Sequence, residues 1–158
     1  MKPPAADLRF RTPHVSDLVE LAARLRPADR TELEACNHFD PLGAVMHSMT
    51  LSSLCWSVRE GDTLLAIFGV CPLPGHPGVG TPWMLGTTAL GPQHRRPLIE
   101  LPAPYIARMI EAYPRLVNYV HAGNMPALRW LRRLGFTLDA AAPFGPNGAL
   151  FHRFEKTV

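Results

Sequence analysis

Residues 116–136, LVNYVHAGNMPALRWLRRLGF, decide how the rest of this chain is read. Arg115–Ala122 is apolar enough for a buried strand, and the run ends at Gly123. Asn124 follows as a helix N-cap, with Pro126 in the first turn, where a missing N–H costs little. Ala127, Leu128, Leu131 and Leu134 then recur at helical spacing. Gly135 suits a left-handed cap, and Phe136 is expected to fold back toward Leu131. Strand, tight junction, capped helix and glycine stop form one unit.

The same rules extend toward both ends. Leu8–Thr12 alternates apolar and basic residues and reads as a short strand. Thr12-Pro13 opens a helix carrying Val15, Leu18, Leu21, Ala22 and Leu25. Pro27 interrupts it, a second piece runs through Leu33 to Cys36, and Asp40-Pro41 starts another helix with Leu42, Val45, Met46 and Met49. Cys55–Val58 and Thr63–Val70 read as a hairpin turned by Arg59–Asp62. Cys71–Thr81 is a Pro/Gly loop, and Pro82–Leu90 is apolar enough for a central strand. Ile99, Ile106, Met109, Ile110 and Tyr113 fit one helical face, which Pro102 and Pro104 either kink or start late. Thr137–Ala141 and Ala149–Phe154 read as a closing antiparallel pair joined by the turn-rich PFGPNG. The order expected is β-α-α-β-β-β-α-β-α-β-β, an α/β (α+β) class in one domain, residues 1–158.

Composition excludes several classes. With 158 residues, 47% hydrophobic and 18% charged, the chain reads as one ordinary globule. A formal charge of +3 is too small to imply nucleic acid, so no direct nucleic-acid binding is expected. The start, MKPPAADLRF, lacks the apolar stretch of a secretory signal, and no run approaches the roughly 20 apolar residues of a membrane span. Cys36, Cys55 and Cys71 have no metal-ligand spacing and are expected to be reduced, buried thiols, with no metal.

The 116–136 unit and the element order resemble the GCN5-related N-acetyltransferases (GNATs), whose last strand–helix unit follows N-x-x-A-x-x-L-Y-x-x-x-G-F. Asn124, Ala127, Gly135 and Phe136 match, and Leu131 stands where the pattern has Tyr. The resemblance implies a central, mostly antiparallel twisted sheet of six to seven strands flanked by about four helices. It also implies acetyl-CoA, with its pyrophosphate on an R/Q-x-x-G-x-G/A loop. Arg95 falls on the leading position, while Leu98 and Glu100 replace the two glycines, Glu100 with a carboxylate expected to repel a pyrophosphate, and Pro97 removes a donor. A retained site would use Leu90, Arg95, Arg96 and Asn124, with His94 as a further charged clamp. Backbone N–H groups of Trp83–Thr88 would polarise the acyl carbonyl, and His121 or a water would act as base. Leu131 cannot supply the proton that the family's Tyr gives the departing thiolate, and PWMLGTTAL carries no carboxylate base.

Pro82-Trp83-Met84, the Met109–Tyr113 helix end, Leu116–Val120 with Gly123-Asn124, and Arg129–Gly135 are more closely similar to the GNAT-like internal virion proteins of T7-like short-tailed phages. That resemblance implies a virion-associated or virion-assembly protein, in the virion or host cytoplasm, working by protein–protein contact without a cofactor. Arg129, Trp130, Arg132 and Arg133 form the candidate partner surface; a solvated basic helix face and a packed Trp are the other reading. Other virion proteins are the expected partners, and self-association into a homo-oligomer is open. The alternative is an acetyl-CoA-dependent N-acetyltransferase with an atypical pyrophosphate loop.

Overall fold

The computed structural model describes residues 7–100 and 102–158. Strand β1 (Leu8–Arg11) leads into helices α1 (Val15–Ala23), α2 (Pro27–Ala35) and α3 (Pro41–Leu51). Strands β2 (Leu54–Glu60), β3 (Thr63–Pro72) and β4 (Val79–Gly86) follow, then a 3-10 turn at Pro92–His94 and helices α4 (Pro97–Glu100) and α5 (Ala103–Ala112). Strand β5 (Arg115–His121), helix α6 (Met125–Arg133) and strands β6 (Thr137–Leu138), β7 (Ala142–Phe144) and β8 (Ala149–Thr157) complete the chain.

The strands form one open sheet in the order β1-β2-β3-β4-β5-β8-β6, with β7 also on β8. Every pairing is antiparallel except β4 with β5. The sheet is buried on both faces. On one, α1 and α3 pack Leu18, Leu21, Leu25 and Val45 against Leu64, Ile67 and Leu85. On the other, Leu98, Met109, Leu128 and Leu131 meet Phe68, Val70, Leu116, Val120, Phe136 and Phe154. Covering both faces is what allows β3 to be apolar almost throughout.

The decisive unit forms as its residues dictate. The Asn124 side chain accepts from the Ala127 N–H at 3.4 Å, capping α6. At the other end the N–H groups of Gly135 and Phe136 donate to the carbonyls of Arg132 and Leu131, with Gly135 at φ +90. Several elements differ from expectation: β2, β3 and β8 run longer, β6 is cut to two residues, and three further differences have a visible cause. Helix α1 starts at Val15, because the Asp17 carboxylate accepts from the His14 N–H at 2.8 Å and caps the helix there. Strand β4 runs from Val79 to Gly86, not from Pro82 to Leu90. Its chain is turned aside when the Thr87 hydroxyl donates to the Leu64 carbonyl at 2.7 Å and the Thr88 N–H donates to the Arg24 carbonyl at 2.9 Å. The sheet has eight strands where six to seven were expected, because Ala142–Phe144 pairs with β8 instead of remaining in the turn.

Strands β4 and β5 pair only at Val79–Arg115 and Gly80–Leu116, then part. Pro82 has no N–H to continue the ladder, and the Asn118 side chain donates to its carbonyl at 2.6 Å across the opening. This parting positions the candidate site.

Candidate functional site

A cleft of about 320 Å³ lies in the gap between β4 and β5 and reaches both faces of the sheet. Pro82, Trp83 and Met84 line it from β4, and Asn118, Tyr119 and Val120 from β5. Strand alternation identifies which β4 groups face the gap. The Pro82 carbonyl accepts from Asn118, and the Gly86 N–H donates to Asp29 Oδ2 at 2.7 Å. The Thr87 N–H points the other way, to the Leu65 carbonyl on β3. Even-numbered residues therefore face β5, and odd-numbered ones face β3. Pro82 has no donor and Gly86 has given its own away, so the Met84 N–H is the β4 donor that opens into the gap.

Helix α2 brings two carboxylates to the same place. Asp29 is 1% exposed and fully engaged. It takes Arg26 Nε at 2.6 Å and Arg26 Nη2 at 3.0 Å, the Gly86 N–H, and Asn124 Nδ2 at 3.5 Å. It ties α2, the end of β4 and the start of α6 together. Glu32, one turn later, accepts from the His121 N–H at 2.5 Å and carries no ion pair among the described residues. Burial in the apolar cleft pushes its carboxyl up to about 7, and the charge of Asp29 adds to this. The His121 N–H, Arg26 and Asn124 oppose the rise. A carboxylate balanced near neutral pH is suited to accepting a proton.

A second cleft of about 310 Å³ adjoins the first and shares Arg26, Met84, Leu98, Ala127 and Trp130 with it. Leu90, Gly91, Pro92 and Arg95 form one wall, and Pro126, Arg129 and Arg133 form the other. Arg95, Arg129 and Arg133 are exposed and make no ion pair among the described residues. Three guanidinium groups converging on one cleft make it a place for a polyanion.

No protein-family model matches the sequence, and no curated protein matches it in sequence. Solved structures do resemble the fold. A GNAT acetyltransferase from Streptococcus pneumoniae has a TM-score of 0.66 at 14% identity, over 96% of this chain and 99% of that one. A GCN5-related N-acetyltransferase from Kribbella flavida has a TM-score of 0.68 at 18% identity, over 96% and 98%. Spermidine N-acetyltransferase from Vibrio cholerae, solved with CoA and spermine, has a TM-score of 0.67 at 14% identity, over 95% of each chain. The chain has the GNAT fold.

Within this GNAT fold the sequence-predicted residues fall into two groups. Leu90 and Arg95, expected for a cofactor, and Arg129, Trp130 and Arg133, expected for a protein partner, line one and the same cleft. Asn124 is 2% exposed in the first cleft, held by Asp29. Arg96 instead pairs outward with Glu100 at 2.9 Å, both side chains exposed, so neither lines the second cleft. The repulsion expected of Glu100 toward a diphosphate is removed by that pairing. Arg132 also lies off the cleft lining. Trp130 is half-buried, and its indole N–H donates to the Leu98 carbonyl at 2.8 Å, so it joins α6 to α4 and presents no free anchor. His94 is 1% exposed: its Nδ1 accepts from the Gly91 N–H at 3.0 Å, and its Nε2 lies 3.3 Å from Glu60. It holds the loop instead of clamping a phosphate. His121 Nδ1 accepts from the Gly123 N–H at 3.1 Å, and the ring stands edge-on to Phe151. His121 Nδ1 thus helps to shape the turn, and its main chain holds Glu32. Glu32 itself went unseen in the sequence, because nothing in PADRTELEA says that α2 faces the exit of β5.

Proposed function

We propose that this chain is an acetyl-CoA-dependent N-acetyltransferase. One observation carries the reading: the parted β4–β5 edge leaves the Met84 N–H open, with the Glu32 carboxyl on one side and the cleft of Arg95, Arg129 and Arg133 on the other. Two of the similar structures were solved with CoA or acetyl-CoA, the Vibrio cholerae enzyme and yncA, a putative acetyltransferase from Salmonella typhimurium.

The residues present fit the cosubstrate by charge and shape. Arg95, Arg129 and Arg133 would hold its phosphates through side chains, where Leu98 and Pro97 deny the backbone cradle. When bound, acetyl-CoA supplies a thioester as the acyl donor. The Met84 N–H is placed to donate to an oxygen that gains negative charge, at no reorganisation cost, since the sheet already fixes it. Glu32 removes the proton of an ammonium substrate, leaving a lone pair on nitrogen for attack. Leu131 is 7% exposed within the core and gives no proton, so the departing sulfur takes the proton that Glu32 removed or one from water, and the second proton shed by nitrogen as the amide forms goes to solvent.

The virion-assembly reading rests on the motif resemblance of Pro82–Met84 and residues 109–135 and draws nothing from the acetyltransferase structures above. The loss of the phosphate loop and the loss of the family's Tyr agree with it. The first is offset by the arginine cleft. Amine-dependent release of free thiol from acetyl-CoA, followed with a chromogenic disulfide, tests the proposal. Release that saturates in both reactants and falls in Glu32→Gln supports it; no release with any amine at millimolar acetyl-CoA contradicts it.

A further inference from the structure

The first cleft has an aromatic wall on the side that an acyl acceptor would enter. Tyr119 on β5 and Phe144 on β7 stack at 3.8 Å with planes 9° apart. Phe151 on β8 meets Phe144 at 5.3 Å, edge to face. Each lines the cleft, and Tyr119 and Phe144 are each 37% exposed, a large apolar area to leave against water. Glu32, Leu33, Cys36 and His38 line the same cleft. Next to them, the turn before β8 is tied to the end of α2, where Asn147 Nδ2 donates to Asn37 Oδ1 at 2.9 Å and to the Ala35 carbonyl at 3.4 Å.

We infer that this cleft takes a small primary amine bearing one flat aromatic ring, its ammonium on Glu32 and its ring on Tyr119 and Phe144. The inference rests on the acetyl-transfer reading above and names the substrate class of that site. The charge count selects a monoamine. Among the described residues only Asp29 and Glu32 bring carboxylates to the lining, and Asp29 is neutralised by Arg26, leaving one carboxylate for one cation. A polyamine would bring several cations to a wall that offers apolar rings. The volume, about 320 Å³, is that of a small-molecule site.

Nuclear magnetic resonance titrations of the full chain at pH 8 with 2-phenylethylamine, n-butylamine and spermidine test this. 2-Phenylethylamine is expected to bind about tenfold tighter than n-butylamine, from ring stacking and burial. Phe144→Ala should erase that preference. Glu32→Gln should weaken 2-phenylethylamine about tenfold or more while leaving the neutral 2-phenylethanol unmoved. Equal binding of the two monoamines, tightest binding of spermidine, or no amine binding at all overturns the inference. Thiol release from acetyl-CoA separates this from the reading beneath it. Release with aliphatic amines alone sinks the aromatic preference and leaves acetyl transfer standing. Ring-selective amine binding without release under any condition does the reverse.

Discussion

Replacing Glu32 with glutamine should make the protein more stable and less active at once, and the two effects share a cause. The Glu32 carboxyl sits at about 7 in the folded chain, against an ordinary 4.5. Between those values the folded state holds a proton that the unfolded state has released. Stability therefore falls as pH rises through that window, and the loss is complete above about 7. At about 1.4 kcal/mol per pH unit, the penalty at pH 8 is at most about 3 kcal/mol. Glutamine keeps the acceptor for the His121 N–H and removes the charge. Glu32→Gln should thus match the wild type near pH 4.5 and exceed it by up to about 3 kcal/mol at pH 8. For a chain of this size that corresponds to roughly 6–12 °C in Tm. Urea titrations of both proteins at pH 4.5, 6 and 8 measure it. Loss of the proton acceptor should meanwhile lower kcat/KM about 10²- to 10⁴-fold and abolish the acid limb near pH 7. A stability difference that does not change with pH, or a variant less stable at pH 8, would refute the reasoning.

Other consequences follow from particular contacts. Asp29→Ala leaves Arg26 half-buried without its partner and frees the Gly86 N–H, so chemical denaturation should show a loss of about 3–5 kcal/mol. The pair Arg129→Ala and Arg133→Ala should weaken coenzyme A by about tenfold or more while leaving the uncharged fragment pantetheine unaffected, read by competition binding. Gly135→Ala forces a side chain into φ +90 and a Cβ to 2.6 Å from Lys156 Nζ, and thermal melts should register about 1–2 kcal/mol of destabilisation.

The architecture was legible because local rules and tertiary demand agree over most of the chain. Asn124, Pro126, Gly135 and Phe136 carry their own instructions for a helix start and stop, and they are obeyed. The β2–β3 turn was equally plain from Gly61-Asp62. The misplaced end of β4 was not readable, since Thr87 leaves the strand only because its hydroxyl finds the Leu64 carbonyl, a partner 23 residues away. The third strand on β8 escaped because Ala142–Phe144 has no alternation of its own and is exposed throughout.

The site was half legible for a related reason. Arginines and Leu90 could be named from the pattern, but their convergence on one cleft is a property of how α6 packs beside the loop after β4. Treating Glu100 as a repulsive group assumed that it faces the ligand, whereas Arg96 at i−4 draws it outward. Glu32 carries no motif, and its character comes from burial against β5. The cysteines, expected to be buried, are free and half-buried.

Isothermal titration of the full chain with acetyl-CoA bears most directly on whether the parted sheet edge and its arginine cleft form a working acyl-CoA site. A single saturable binding event, lost or much weakened when Arg129 and Arg133 are replaced together, is the result expected. Absence of binding at millimolar acetyl-CoA, or binding indifferent to those two arginines, would contradict it.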